Sequence, residues 1–147
     1  MSGISGGEKL LKYLEAIERG FDTAKSVDVG WNSNNMHPEA KTYTATVSAW
    51  QEFGTKFIPA RPFMAPARLE NETKWSKEVA KEMSACGYNA EIALASVGEV
   101  VKKDIQKAIM SVNAPKLAQS TIDKKGFDKP LIDSSYMIDH IDVEVKK

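Results

Sequence analysis

Residues 69–115 read LENETKWSKEVAKEMSACGYNAEIALASVGEVVKKDIQKAIMSVNAP and predict two long amphipathic helices in succession. Apolar residues recur within them at helical spacings, which places these side chains on one face of each helix. On the first helix they are Leu69, Trp75, Val79 and Met83, and on the second Leu94, Val97, Val101, Ile105, Ala108 and Val112. Cys86-Gly87 ends the first helix and Asn113-Ala114-Pro115 the second. We expect the two helices to pack against each other.

On either side of this helical pair, alternating polar and apolar residues predict two strands. One lies near residues 26–31 (SVDVGW) and the other near 139–146 (DHIDVEVK). A half-buried strand requires a partner, so we expect the two to pair in a small antiparallel sheet, to which other segments could add strands. With helices covering one face of the sheet, the predicted fold class is α+β, in a single domain over residues 1–147.

The segments before residue 58 predict shorter elements. Residues 1–24 predict an N-terminal helix, with one apolar face that carries Leu10, Leu14, Ile17 and Phe21. Residues 32–41 (NSNNMHPEAK) are typical of an exposed loop or of the tip of a hairpin. Residues 42–53 are ambiguous between strand and helix, and helix is favoured because Gly54 would end it.

Proline controls the next segment. Pro59, Pro62 and Pro66 lack the backbone N–H that a regular helix needs, so residues 58–65 are expected to be extended. After the two long helices, residues 120–125, closed by Gly126, and residues 133–138 each predict a short helical turn.

Composition limits the classes of function. The chain has 147 residues, 42% of them hydrophobic, with 20 basic residues balancing 20 acidic ones. It reads as a globular domain without an apolar run of the roughly 20 residues needed to cross a bilayer. Nucleic-acid binding as the main activity is disfavoured, because it would normally show a basic excess. The single cysteine, Cys86, excludes an intrachain disulfide and a cysteine-rich zinc site.

Signatures of catalysis or cofactor binding do not emerge. The glycine-rich phosphate loops and the Gly-x-Ser-x-Gly elbow are missing from the sequence. His37 and His140 are too few for a histidine metal site, and both are expected to face solvent. The carboxylate pairs Glu70 with Glu72 and Asp139 with Asp142 lie among lysines and are interpreted as solvated charges. We therefore predict no catalytic, cofactor-binding or metal-binding residue.

Two segments are more distinctive. The first is Gln51-Glu52-Phe53-Gly54 with residues 58–64 (IPARPFM), and the second is residues 120–126 (STIDKKG) with residues 129–134 (KPLIDS). An extended segment leaves backbone groups without hydrogen-bond partners and apolar side chains exposed. These groups must be covered either by the core of the same chain or by another chain. On physical grounds alone, a purely structural role within the chain and a contact with another chain have equal support.

In this order, the segments resemble the tail-completion or minor-tail (neck) morphogenesis proteins of tailed bacteriophages and prophages. That family shows Gln-Glu-Phe-Gly, then Ile-Pro-x-Arg-Pro-Phe-Met, and later Ser-Thr-Ile-x-x-Lys-Gly with Lys-Pro-Leu-Ile-Asp. The matching positions are 51–54, 58–64 with Pro66, 120–126 and 129–133, and the resemblance covers about residues 27–145. This chain departs at Ser134-Ser135, where the family more often has Thr-Gly.

The resemblance implies a structural virion protein and no enzymatic reaction. Such relatives form rings, commonly hexameric, at the head-proximal end of the tail or in the neck, after assembly in the host cytoplasm. The implied partners are other copies of the chain, other tail and neck proteins, and phage DNA that passes through the lumen without specific binding; no membrane or cofactor is implied. The residues we assign to the subunit interface are Glu52, Phe53, Arg61, Pro62, Phe63, Met64, Leu131 and Asp133.

In that interface, Phe53, Phe63 and Met64 would bury apolar surface. Arg61 would make a bidentate bond to a carboxylate of the neighbour, with Glu52 as one candidate acceptor. Two alternative functions stay open: a small DNA-binding factor, and a hydrolase that uses the carboxylates named above.

Overall fold

The computed structural model describes residues 6–116, 118–126 and 136–147, and its fold is α+β, as predicted. Six helices and four strands lie in these ranges: α1 (Gly7–Phe21), β1 (Ser26–Gly30), β2 (Met36–His37), β3 (Thr42–Tyr43), α2 (Thr44–Phe53), α3 (Met64–Ala85), α4 (Ala90–Ser111), α5 (Gln119–Lys125), α6 (Tyr136–Asp139) and β4 (Asp142–Lys146). None of the helices within the described ranges combines the length and apolar character needed to span a bilayer.

The two long predicted helices are confirmed as α3 and α4, which pack against each other. The chain reverses between them through Gly87 and Tyr88, both with positive φ. Asn89 then begins α4, because its side chain accepts a hydrogen bond from the backbone N–H of Ile92.

The start of α3 corrects the prediction that residues 58–65 are extended. The helix begins at Met64, so Pro66 lies in its first turn, where a backbone N–H has no intrahelical partner to lose.

The predicted pairing of the first and last thirds of the chain is also confirmed. β1 and β4 are antiparallel, with Val27 opposite Val145 and Val29 opposite Val143. This sheet lies directly on α4 at Gly98, where an added Cβ would collide with the side chain of Val143. The strand bounds are shorter than predicted, because Asp139 belongs to α6 and Trp31 follows the end of β1.

The main core forms where α3, α4, α6 and the start of β4 meet. Its buried members are Phe63, Ile105, Ile109, Met137 and Ile141. Trp31 closes one side, since its ring meets Phe63 edge-on and its indole N–H donates to the Met137 carbonyl at 2.8 Å. A second buried cluster of Ala24, Met83, Ala90 and Ala93 lies near the α3–α4 turn.

Residues 32–41 are mostly exposed and form part of a small hairpin, which was one of the two predicted alternatives. Met36 and His37 in β2 pair with Tyr43 and Thr42 in β3. His37 is buried at 5% exposure, so the prediction that it faces solvent is wrong. Its ring meets Tyr136 edge-on, and Tyr136 in turn stacks on His140, which is half-buried.

The shorter helices follow the predictions where the structure describes them. The favoured helix over residues 42–53 is confirmed from Thr44 onward as α2, and α5 ends at Gly126, which has a φ of 77°. The predicted turn over 133–138 is confirmed only in its last part, as α6; residues 133–135 lie outside the described ranges. The N-terminal helix is confirmed as α1.

Asp104 joins α3 to α4 from the middle of the helical pair. Its Oδ2 accepts hydrogen bonds from Lys74 Nζ at 2.7 Å and from Trp75 Nε1 at 2.9 Å. Burial alone would raise the pKa of the Asp104 carboxyl, but the bonds from Lys74 and Trp75, with the charges of Lys74 and Lys107, bring it below its ordinary value.

We expect Asp104→Asn to lower the free energy of unfolding at pH 7 by about 1–2 kcal/mol. The folded-state pKa is lowered, so the ionised Asp104 contributes stability above the ordinary pKa of about 3.9, and this contribution is lost as the pH falls through the lower folded value. Urea unfolding at pH 7 and near pH 2.5 measures both effects, with Glu99→Gln on the exposed side of α4 as the control. A difference between wild type and Asp104→Asn that stays constant with pH would contradict this assignment.

Candidate protein contact surface

The first distinctive sequence segment folds around the carboxylate of Glu52. This side chain leaves the end of α2 and is 9% exposed. Its Oε2 accepts hydrogen bonds from the backbone N–H groups of Phe63 at 2.8 Å and Met64 at 2.9 Å, and its Oε1 from that of Ala65 at 3.0 Å. A carboxylate at a helix N-terminus satisfies unpaired donors and complements the helix dipole. Glu52 therefore caps α3 and fixes its position relative to α2.

Arg61 fixes the connector, residues 54–62, at a second point. Its backbone N–H donates to the Gln51 carbonyl at 2.7 Å, which ties the connector to α2. Its guanidinium donates through Nε to the Pro115 carbonyl at 2.9 Å and through Nη2 to the Lys116 carbonyl at 3.3 Å. Burial lowers the pKa of this guanidinium, which nevertheless stays charged at neutral pH.

Gly54 makes the tight turn between α2 and the connector possible. Its φ is 74°, and an added Cβ would lie 2.8 Å from Ala60 N and 2.9 Å from the Ile58 carbonyl oxygen. Thr55 continues the turn, because its Oγ1 accepts from the backbone N–H groups of Phe57 and Ile58 at 3.1 and 3.0 Å. Residues 51–54 and 58–64 thus form one hydrogen-bonded unit.

Three aromatic side chains within residues 50–57 are exposed to solvent, and together we call them the aromatic patch. They are Trp50, Phe53 and Phe57, with exposures of 39%, 80% and 87%. Exposed aromatic residues on a fixed backbone are typical of protein contact surfaces, where they supply much of the binding energy.

Helix α2 has an unusual distribution of polar and apolar residues. The buried residues of α2 are Thr44, Ser48 and Glu52, which recur every four positions along one face of the helix. The polar side of α2 therefore faces inward, where Glu52 finds its three donors, and the aromatic side faces outward.

An open channel beside the aromatic patch, the apolar groove, has a volume of about 700 Å³. It is lined by β1, α2, α3 and α4, and its apolar lining includes Val29, Trp31, Phe53, Met64, Trp75 and Val101. Arg68 supplies a cation at its edge and makes no ion pair with any described residue. Phe53 thus belongs both to the aromatic patch and to the groove.

The predicted interface residues separate into two sets. Glu52, Arg61 and Phe63 are buried within their own chain, and Phe63, at 1% exposure, is part of the core. The roles assigned to them against a neighbouring subunit are therefore corrected: Glu52 caps α3, Arg61 binds backbone carbonyls rather than a carboxylate, and Phe63 packs on Trp31.

The remaining predicted interface residues stay open to an intermolecular role. Phe53 and Pro62 are exposed, and Met64 is half-buried in the groove wall. Leu131 and Asp133 lie outside the described residues. Sequence reasoning missed Trp50 and Phe57. The available signal for Trp50 was an α2 pattern in which aromatic and small polar residues lie on opposite faces, whereas Phe57 lies in the connector, which has no helical pattern.

The carboxylates considered for a hydrolase do not converge in the structure. Glu70, Glu72, Asp139 and Asp142 are all exposed; Glu70 lies beside a groove between α3 and α4, and Asp142 beside the end of β1. Among the described residues, no cluster of three or more acidic, histidine or cysteine side chains is placed to hold a metal ion.

Comparisons with protein-family models, with curated proteins and with solved structures found no match to this chain.

We expect Glu52→Ala to lower the free energy of unfolding by about 3 kcal/mol, because three N–H groups at the start of α3 would lose their acceptor. Glu52→Gln should cost about half as much, since its single carbonyl oxygen can still accept. Urea unfolding measures both, with Glu72→Ala on exposed α3 as the matched control. Equal stability of Glu52→Ala and the control would show that the carboxylate does not cap α3.

Proposed function

We propose that this chain is a structural virion protein of a tailed bacteriophage. It would form a ring at the head-proximal end of the tail or in the neck, complete the tail and help to join it to the capsid. The observation that carries the proposal is the aromatic patch. It is held in place by residues 51–54 and 58–64, which form the first of the segments that carry the resemblance to tail-completion proteins.

The geometry of the unit supports a contact function. Glu52 fixes one end of the connector, while Arg61 ties it to α2 and to residues 115–116. A surface that is already ordered pays a smaller entropy cost on association than a flexible one. The buried motif residues would therefore act indirectly, by holding Trp50, Phe53 and Phe57 in a defined position.

Ring formation places a further demand on such a surface. A rotationally repeated contact between identical chains is heterologous, and it closes only if its rotation angle divides a full turn. Small angular errors would add up around a hexamer. A connector stabilised at both ends and containing Pro59 and Pro62 would limit those errors.

The charge balance is compatible with DNA passage. The net charge of the chain is zero, so a ring of these chains would offer no overall electrostatic attraction to phosphate. The proposed partners are other copies of the chain and the neighbouring tail and neck proteins, with DNA passing through without specific binding.

We expect Phe53→Ser/Phe57→Ser to abolish ring assembly while leaving the monomer folded, because both side chains are at least 80% exposed. Native mass spectrometry and light scattering, with and without isolated tails, measure the assembly, and circular dichroism measures the fold. Leu69→Ser on α3, which removes a side chain that is 67% exposed, is the matched control. A wild-type chain that stays monomeric even with isolated tails would contradict the proposal. Steep salt dependence of its affinity for duplex DNA would instead favour the DNA-binding alternative.

A further inference from the structure

The N-terminal helix α1 has an apolar face that the described part of the chain leaves uncovered. None of its residues is buried, and Leu10, Leu11, Tyr13, Leu14 and Phe21 are between 51% and 61% exposed. Leu10, Leu14, Ile17 and Phe21 follow one another at spacings of three and four, so they form a continuous stripe. A polar, solvated helix would not need such a stripe.

The C-terminal end of α1 is nevertheless held in place. Gly20 lies against the backbone carbonyl of Tyr88, so closely that a Cβ would collide with it, and Phe21 stacks on the Tyr88 ring. Thr23 adds a bond, because its Oγ1 accepts from the backbone N–H of Glu91 at 3.0 Å. The helix is therefore anchored at one end, at the α3–α4 turn, where Tyr88 covers one side of Phe21. The described residues leave Leu10 and Leu14, farther along the stripe, exposed.

We propose that α1 of one copy of this chain docks into the apolar groove of the next copy. The inference rests on the ring assembly in the proposed function and specifies which surfaces join the subunits. An amphipathic helix laid into a hydrophobic groove is a general mode of protein recognition.

The dimensions of helix and groove agree. The apolar stripe runs from Leu10 to Phe21, and the α3 wall of the groove runs from Met64 to Trp75. Both intervals are about eleven residues, or about 16 Å of helix. Phe53, at 80% exposure, stands at the edge of the groove where it would contact the docked helix.

The area is sufficient for a specific contact. α1 has 15 residues, so it is about 22 Å long, and docking half of its surface would bury on the order of 1,000 Å² over both partners. That value reaches the lower limit for a specific interface, and in a closed ring each subunit would make the contact twice.

Charge favours the same arrangement. Glu18 lies four residues after Leu14 and three before Phe21, so it borders the apolar stripe. Arg68 is exposed at the edge of the groove. A Glu18–Arg68 ion pair between copies would set the direction of the helix in the groove.

A second copy is a better occupant than the same chain's own helix. α1 is anchored at Tyr88, beyond the C-terminal end of α3, whereas the groove lies along the N-terminal half of α3. The surfaces also differ in kind, one being a projecting helix and the other a concave channel. Copies would therefore join head to tail, which is the arrangement that a ring requires.

A mixing experiment tests this arrangement. Leu10→Ser/Leu14→Ser damages the helix but keeps the groove, and Phe53→Glu/Arg68→Glu damages the groove but keeps the helix. We expect each variant alone to assemble roughly tenfold or more weakly than wild type. Mixed together, they should form a 1:1 heterodimer and no ring, because only one intact helix and one intact groove remain. Native mass spectrometry measures these species.

The charge pair provides a second measurement that does not depend on removing apolar residues. Glu18→Arg and Arg68→Glu should each weaken assembly by about twofold to fivefold, and the double variant Glu18→Arg/Arg68→Glu should restore it. Circular dichroism and thermal melting check that each variant is folded. Leu69→Ser serves as the control for the apolar substitutions of the mixing experiment.

The outcomes separate this inference from the proposed function. A wild-type chain that never assembles would contradict both. A wild-type chain that assembles together with a helix variant that assembles equally well would contradict the inference alone. Loss of assembly in the helix variant without a heterodimer in the mixture would indicate pairing between two α1 helices. Binding of a monomeric wild type to phosphatidylglycerol vesicles through α1 would indicate that the stripe contacts a lipid surface. Pairing between two α1 helices and binding to lipid would each overturn the docking of α1 into the groove.

Discussion

The carboxylate of Glu52 is the interaction on which the central part of this structure depends. α3 begins at Met64 without a side-chain cap from its own N-terminus, so its first N–H groups would otherwise lack partners. Glu52, eleven residues before Phe63, supplies the acceptor. The same contact sets the position of Phe63, which enters the core against Trp31. Cap, connector and core are therefore coupled, and a change at Glu52 affects all three.

This coupling explains why α2 carries its aromatic residues outward. The inward face of the helix must deliver a carboxylate to the start of α3, and Thr44 and Ser48 share that face. Trp50 and Phe53 are then directed toward solvent. Exposed aromatic surface is unfavourable in free energy unless another surface covers it. A polar contact inside the chain is thus accompanied by exposed aromatic surface on the other side of α2.

The periodic parts of the fold could be predicted from the sequence, and the parts that depend on distant polar partners could not. The stripe from Leu94 to Val112 and the alternation in β1 and β4 report local burial directly, so both long helices and the strand pairing were confirmed. The start of α3 was predicted too late because Pro66 disfavours a regular helix. The acceptor that satisfies the first N–H groups of α3, Glu52, is distant in sequence and could not be recognised. His37 looked solvent-exposed for a similar reason: Tyr136, about 100 residues later, covers it.

The candidate site shows the same limit more sharply. Residues 51–64 stood out because prolines, aromatics and an arginine are concentrated there, but composition alone could not say which of them face inward. A buried arginine and an interfacial one have the same sequence signature; only the carbonyls of Pro115 and Lys116 distinguish them. The structure places Arg61 and Phe63 inside the chain and leaves the neighbouring aromatic patch exposed. Because Phe53 belongs to both the patch and the apolar groove, a helix docked there would rest on a wall whose position is set by Glu52. In that arrangement, the angle between successive subunits would depend on a hydrogen-bonded unit inside each one.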